Sequence, residues 1–183
     1  MKSLKLFGFM MLFTSLVMVS CGKEDSKGTC ADGIKNQDET GVDCGGVCGA
    51  CKEGTQGKWK SFPVAPILAN FADSIIAEFQ TNNTYTVFQY KSGSKVELKG
   101  TYTQTKSTEG NIYTIKLNQT TPSALTAEGI FELSADKNSM KYEVAQTDPV
   151  ITGVTAPTPK GGFGSTSGGA FGTINIQNYV RVK

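Results

Sequence analysis

From Gly57 to the C-terminus, short runs of alternating apolar and polar residues are cut by turn clusters about every 8–12 residues. A two-residue period buries one face of a strand and wets the other, so this stretch points to antiparallel sheet. Candidate strands lie at about 57–62, 74–80, 84–91, 95–104, 111–117, 127–134, 139–146 and 173–182. Thr81-Asn82-Asn83, Ser92-Gly93-Ser94 and Ala135-Asp136-Lys137-Asn138 read as the hairpin turns among them. Met140, Tyr142 and Val144 share one face, with Lys141 and Glu143 opposite. Tyr113, Ile115 and Leu117 share a face, as do Phe131 and Leu133, while Ile174, Ile176, Val180 and Val182 keep one parity. The helical candidate is Ala65–Asp73, where Pro66 suits a first helical position. Eight antiparallel strands close into a barrel or stack as a two-sheet sandwich. The expected fold class is all-β, with an eight-stranded antiparallel barrel over 55–183.

The other end of the chain carries an address. Lys2 and Lys5 flank an apolar run from Leu6 to Val19, shorter than the roughly 20 residues that span a bilayer and right for a signal-peptide core. Leu16-Val17-Met18-Val19-Ser20-Cys21 resembles the lipobox of bacterial lipoproteins, with Met18 where Leu is commonest. The resemblance implies a signal peptide over 1–20 and lipidation of Cys21. Membrane attachment would then run through several acyl chains, which anchor stably where one binds reversibly. Gly22-Lys23-Glu24-Asp25-Ser26-Lys27 continues as a charged tether, placed at 21–28. A Lys-acidic-acidic run after the lipid-bearing Cys resembles surface-export signals, and Gly22 rather than Asp is compatible with sorting to the outer membrane of a Gram-negative cell. With the leader gone, Lys2 and Lys5 go too, and the remaining Lys and Arg balance the 16 acidic residues. The whole-chain charge of +2 therefore says nothing about partners.

Cys30, Cys44, Cys48 and Cys51 define a small module over 29–54. An even number of cysteines in an exported chain reads as two disulfides with three pairings open. Ile34, Val42 and Val47 are too few to form a core, so cross-links must hold the segment. The run Cys30 to Cys51, with Asp32-Gly33, Asn36, Glu39-Thr40 and Asp43-Cys44-Gly45-Gly46, resembles a short Cys-rich module of secreted and surface bacterial proteins. Asp32, Asn36, Asp38 and Asp43 are hard oxygen donors of the kind calcium takes. The spacing is not an EF-hand loop, and the same residues are also ordinary turn formers and Asx caps. No other cofactor is expected.

Gly57-Lys58-Trp59 on the first strand resembles the Gly-x-Trp opening of lipocalins and of lipocalin-like domains in bacterial lipoproteins. Tyr179-Val180-Arg181-Val182-Lys183 resembles their last strand, whose Arg lies over that Trp. The resemblance implies that Trp59 and Arg181 plug one end of the barrel. Each is the only residue of its type in the chain. Gln146 to Gly172, rich in Gly and Pro, reads as a flexible insertion, a partner-binding loop, or a lid whose Phe163 and Phe171 dip into the mouth.

Three functions follow from these elements. An eight-stranded barrel holds one small ligand or fills with its own side chains. Phe88, Tyr90, Tyr113, Ile115, Phe131, Leu133, Met140 and Tyr142 are the candidate lining for a small hydrophobic ligand. The alternative is a structural or protein-partner-binding surface lipoprotein with a filled core. Catalysis is disfavoured, because the chain has no histidine and the carboxylates Glu128 and Glu132 read as solvent-facing. A single arginine also makes nucleic acid an improbable partner.

Overall fold

A computed structural model describes Cys30, residues 32–42, 44–48 and 51–182. The expected signal peptide, Cys21, the tether and Asp43 lie outside the described residues. Two compact units are present, Met1–Ala50 and Cys51–Lys183.

Among the described residues of the first unit, Cys30 is bonded to Cys48 across a sequence separation of 18. Cys44 and Cys51 are the other two disulfide-bonded cysteines. The local backbone is short turns, a bridge between Gly41 and Cys44, and a 3-10 turn at Gly46–Cys48. Ile34, Val42 and Val47 are exposed, as expected of a segment held by cross-links instead of a core.

The second unit is a closed antiparallel barrel in the order β1 to β8. Its strands are β1 Gly57–Ser61, β2 Ser74–Phe79, β3 Thr84–Lys91, β4 Ser94–Lys106, β5 Ile112–Thr121, β6 Leu125–Leu133, β7 Ser139–Asp148 and β8 Gln177–Val182. The first strand pairs with the last, Trp59 opposite Arg181 and Lys60 opposite Val180, which removes both sheet edges. The sandwich alternative is thereby excluded. The β3–β4 hairpin turns through Ser92 and Gly93, both at positive φ (47° and 82°), the handedness that matches strand twist. At Gly100 the β4–β5 register shifts, and a Cβ there would sit 2.0 Å from the Asn118 carbonyl oxygen. Only glycine allows that approach, which bends the ladder and helps the sheet close.

The inner wall packs Trp59, Ile75, Ala77, Phe79, Tyr85, Tyr102, Ile115, Phe131, Met140, Tyr142 and Tyr179 into one cluster. On β8 the parity is the reverse of the apolar pattern. Val180 and Val182 face out, at 63% and 36% exposure, while Gln177 and Tyr179 are buried. Arg181 must reach Trp59 from inside, and that choice turns every second residue of the strand inward. The strand also starts at Gln177, not 173, because Ile174 and Ile176 donate to Phe171 and Thr173 in tight turns.

The expected helix 65–73 is one 3-10 turn, Pro66–Leu68. The chain here crosses a barrel end, and two of its amides bond to distant residues. Ala65 N–H donates to Gln177 Oε1 (2.6 Å) and Ile67 N–H to the Ile174 carbonyl (3.1 Å).

The long β7–β8 connection is not a free insertion. It lies against the outer wall and is clasped by Glu143, whose side chain is fully buried. Glu143 accepts from Gly164 N–H (2.6 Å), Thr166 N–H (3.2 Å) and the Thr166 hydroxyl. Phe163 packs under Lys141 Nζ at 4.5 Å, outside the barrel. Ile130, of outward parity on β6, is fully buried, and Ala145 on the same outer wall is only 8% exposed. A strand with both faces covered reads as a longer apolar run, as Gly129-Ile130-Phe131 does.

Candidate functional site: the barrel interior

One end of the barrel is sealed by residues that flank the sheet. Trp59 is fully buried, and Arg181 Cζ sits 4.1 Å from its ring centroid. The indole N–H donates to the Thr55 carbonyl (2.6 Å), and the Thr55 amide and hydroxyl both donate to Gln104 Oε1 (2.9 and 3.1 Å). Arg181 spends its other donors on backbone, Nη1 to Gln56 O (2.7 Å) and Nε to Lys137 O (2.8 Å). Burial pushes the guanidinium below its usual pKa. Gly57, at φ 120°, is required beside it, since a Cβ there would lie 2.4 Å from Arg181 Nη1. The sequence places Trp59 and Arg181 correctly as partners. It does not point to Thr55 and Gln104, which have no motif and meet only through the fold.

The opposite end is crossed by residues 62–73. Val64 and Leu68 pack on the core cluster from this segment, and Ala65 and Ala72 are buried. The segment is strapped at its far side by Asp73. Its carboxylate takes Lys91 Nζ at 2.8 Å and Ser92 N–H at 2.9 Å, while Lys91 also donates to the Ala69 carbonyl at 2.7 Å. Those donors, Lys91 first and Ser92 second, hold the Asp73 pKa below the usual carboxylate range. A depressed carboxylate stabilises the folded arrangement above its unfolded pKa and loses that contribution as pH falls through the folded one. Asp73→Asn should therefore loosen the strap at neutral pH and flatten its acid dependence. The check is hydrogen exchange at the Ser92 amide, expected to quicken severalfold in the variant.

Of the lining residues expected from sequence, Tyr113, Ile115, Phe131, Leu133, Met140 and Tyr142 do face inward, with Tyr113 stacked on Phe131 at 4.8 Å. Phe88 and Tyr90 do not. Tyr85 and Val87 hold the inward parity of β3, which leaves Phe88 under Lys95 Nζ (4.7 Å) on the outer wall and Tyr90 at 38% exposure. Alternation on Thr84–Lys91 is ambiguous because both parities carry aromatic or apolar residues. Pairing with β2 settles it, since Tyr85 sits opposite Phe79.

Residues that the sequence reading missed complete the inner wall. Tyr85, Tyr102, Tyr179 and Gln177 all face inward and are buried. The signal for the last two was available. Arg181 inside implies positions 179 and 177 inside.

Tyr102 donates its hydroxyl to the Gln80 carbonyl at 2.9 Å. The hydroxyls of Tyr85, Tyr142 and Tyr179 have no hydrogen-bond partner among the described residues. Burial alone raises Tyr85 to about 12. It also raises Tyr179, and it raises Tyr142 well above the usual phenol value, with Tyr179 and Tyr85 near enough to add like charge. All three therefore remain neutral O–H groups at physiological pH.

Outside the barrel, a groove of about 520 Å³ is lined by residues 63–66, Lys141, Thr173, Ile176 and Asn178, beside the Ala65–Gln177 bond. Glu128 pairs with Lys116 at 2.9 Å on the outer wall, and Glu132 sits opposite Lys141.

In the first unit, Asp32 caps a turn. Its two oxygens accept from Ile34 N–H and Asn36 Nδ2, both at 3.0 Å. Asp38 lies against Gly46, whose added Cβ would meet its carboxylate. No cluster of three metal-ligating side chains forms among the described residues.

Compared with known proteins, the chain matches no protein-family model, no curated protein and no solved structure. The functional reading therefore stands on the geometry of the barrel.

Proposed function

We propose that this chain is a lipid-anchored, non-catalytic protein of the cell envelope whose lipocalin-like barrel binds one small, largely apolar molecule. The supporting observation is the closed β1–β8 ladder, floored by Trp59 and Arg181 and roofed by residues 62–73, around a wall of aromatic side chains. An eight-stranded interior either fills with side chains or holds one such ligand, and in the second case enclosure desolvates the ligand while hydroxyls fix its pose. Export, the outer membrane as destination and lipidation at Cys21 rest on the leader and lipobox-like residues. Calcium is not needed for this role; Asp32 caps a turn and also accepts from Asn36 Nδ2. Nucleic acid plays no part in it.

A second reading has its own observation. Phe62, Phe71 and Val150, near the end opposite the Trp59 floor, are 72%, 67% and 80% exposed. Apolar rims of this kind mark protein or membrane contacts.

Native mass spectrometry of the mature chain, recovered from its own cell type, separates the two. A retained small molecule supports the carrier, whereas an unliganded mass with a co-purifying protein supports the partner-binding reading. Anchoring is tested apart from this. Cells fed labelled palmitate should label the parent chain and leave Cys21→Ser unlabelled. Label on the variant would refute attachment at Cys21.

A further inference from the structure

The inner wall offers hydrogen-bond donors for which the fold supplies no acceptor. Gln177 is 3% exposed; its Oε1 is taken by Ala65 N–H, and its Nε2 has no partner. Tyr142 stands directly opposite Gln177 on the β7–β8 ladder, and Tyr179 opposite Met140, so the three form one continuous inner patch. The Tyr142 and Tyr179 rings meet edge to face at 5.8 Å. Tyr85 comes from β3 and lies within electrostatic reach of Tyr142.

Buried polar groups in folded proteins are nearly always satisfied, so several unmet donors on one wall call for an explanation. Tyr102 shows that a tyrosine in this barrel can find a backbone acceptor. Gln177 Nε2 is the one sealed and unpartnered side-chain polar atom among the described residues. The hydroxyls of Tyr85, Tyr142 and Tyr179 also lack partners, and their residues are buried, at 4%, 6% and 6% exposure. The patch lies on the inner face of the barrel.

The charge around this patch is equally informative. Arg181 is committed to Trp59, Gln56 and Lys137 at the floor, and Lys91 to Asp73 and Ala69 at the roof. Lys106 sits over the Tyr113 ring near the floor end of β4. None of these cations is directed at the patch. An ionised carboxylate placed there would be buried without a counter-charge, which is strongly unfavourable, while a neutral oxygen can accept from the tyrosine hydroxyls and the Gln177 amide at no such cost.

We propose that the barrel recognises an uncharged, mainly apolar molecule through a carbonyl or ether oxygen, which accepts hydrogen bonds from Tyr142, Tyr179 and Gln177 with Tyr85 on the facing wall. The proposal rests on the carrier reading and deepens it by naming the ligand's chemistry.

Three probes of one skeleton test it on the full chain by equilibrium dialysis: 2-acetylnaphthalene, 2-isopropylnaphthalene and 2-naphthoate. The ketone should bind about tenfold more tightly than the hydrocarbon of the same shape, as expected when one or two hydrogen bonds distinguish them. In Tyr142→Phe that preference should shrink, and in Tyr142→Phe/Tyr179→Phe it should approach one, with hydrocarbon binding retained. Retained hydrocarbon binding also shows that the variants are folded. Equal binding of ketone and hydrocarbon to the parent chain would overturn the recognition proposal and leave the carrier reading standing. Tightest binding of the naphthoate would overturn the claim that the ligand is uncharged. Failure of all three to bind would overturn both the proposal and the carrier reading.

Discussion

Trp59→Ala should cost about 3–5 kcal/mol of stability, the range for truncating a large buried aromatic, and it should be the most damaging single change at the barrel floor. Three contacts end together. The fully buried indole leaves a cavity, the Thr55 carbonyl loses the N–H that reaches it at 2.6 Å, and Arg181 loses the ring 4.1 Å away. Domains of this size are typically stable by only about 5–15 kcal/mol, so the loss is a large share. At roughly 3–5 °C per kcal/mol, the melting temperature should fall by about 10–20 °C. Trp59→Phe retains a ring for Arg181 but no N–H, and should lie between parent and alanine. A double-mutant cycle with Arg181→Ala isolates the ring–guanidinium coupling, expected at about 0.5–2 kcal/mol. A Trp59→Ala chain that melts with the parent would show that the floor does not hold the barrel closed.

The outer strap should fail through Glu143. In Glu143→Ala the amides of Gly164 and Thr166 and the Thr166 hydroxyl lose their common acceptor at once. Hydrogen bonds to a charged group are worth about 1.5–3 kcal/mol each, but a carboxylate buried without a cation also carries a desolvation cost that the variant no longer bears. A net loss of about 2–4 kcal/mol follows. The orphaned donors can recover water only if the 149–176 connection lifts from the wall, which would uncover Ile130. The expected signature is local: hydrogen exchange at Gly164 and Thr166 should rise well before the barrel amides respond. Glu143→Gln keeps the shape but turns one acceptor into a donor facing donors, so it should repair only part of the loss. Unchanged protection at 164 and 166 in the alanine variant would refute the clasp.

Much of the barrel was legible because hairpin sheets are written locally. Turn residues such as Ser92-Gly93 set register, and parity on Met140-Tyr142-Val144 assigns faces without reference to the rest of the chain. Reading failed where parity gave no contrast or the wrong one. Phe88 and Tyr90 looked as suitable for the interior as Tyr85 and Val87. Val180 and Val182 outbid Gln177 and Tyr179 on hydrophobicity, although the closing strand had to be oriented by Arg181. Glu143 read as a wet-face carboxylate, and nothing near it in sequence announces that residues 164–166, some twenty positions away, will cover it.

Sequence alone determined many elements of this protein: four paired cysteines, eight period-two strands and the two singular residues that meet at the barrel floor. These depend on neighbours a few positions apart. Tertiary structure decided what lies between distant segments. It set which face of β8 turns inward, which glutamate anchors the long connection, and which inward-facing tyrosines are left without a hydrogen-bond partner. Such outcomes depend on the three-dimensional competition among faces for burial and among donors for acceptors, and no local pattern encodes the result of that competition.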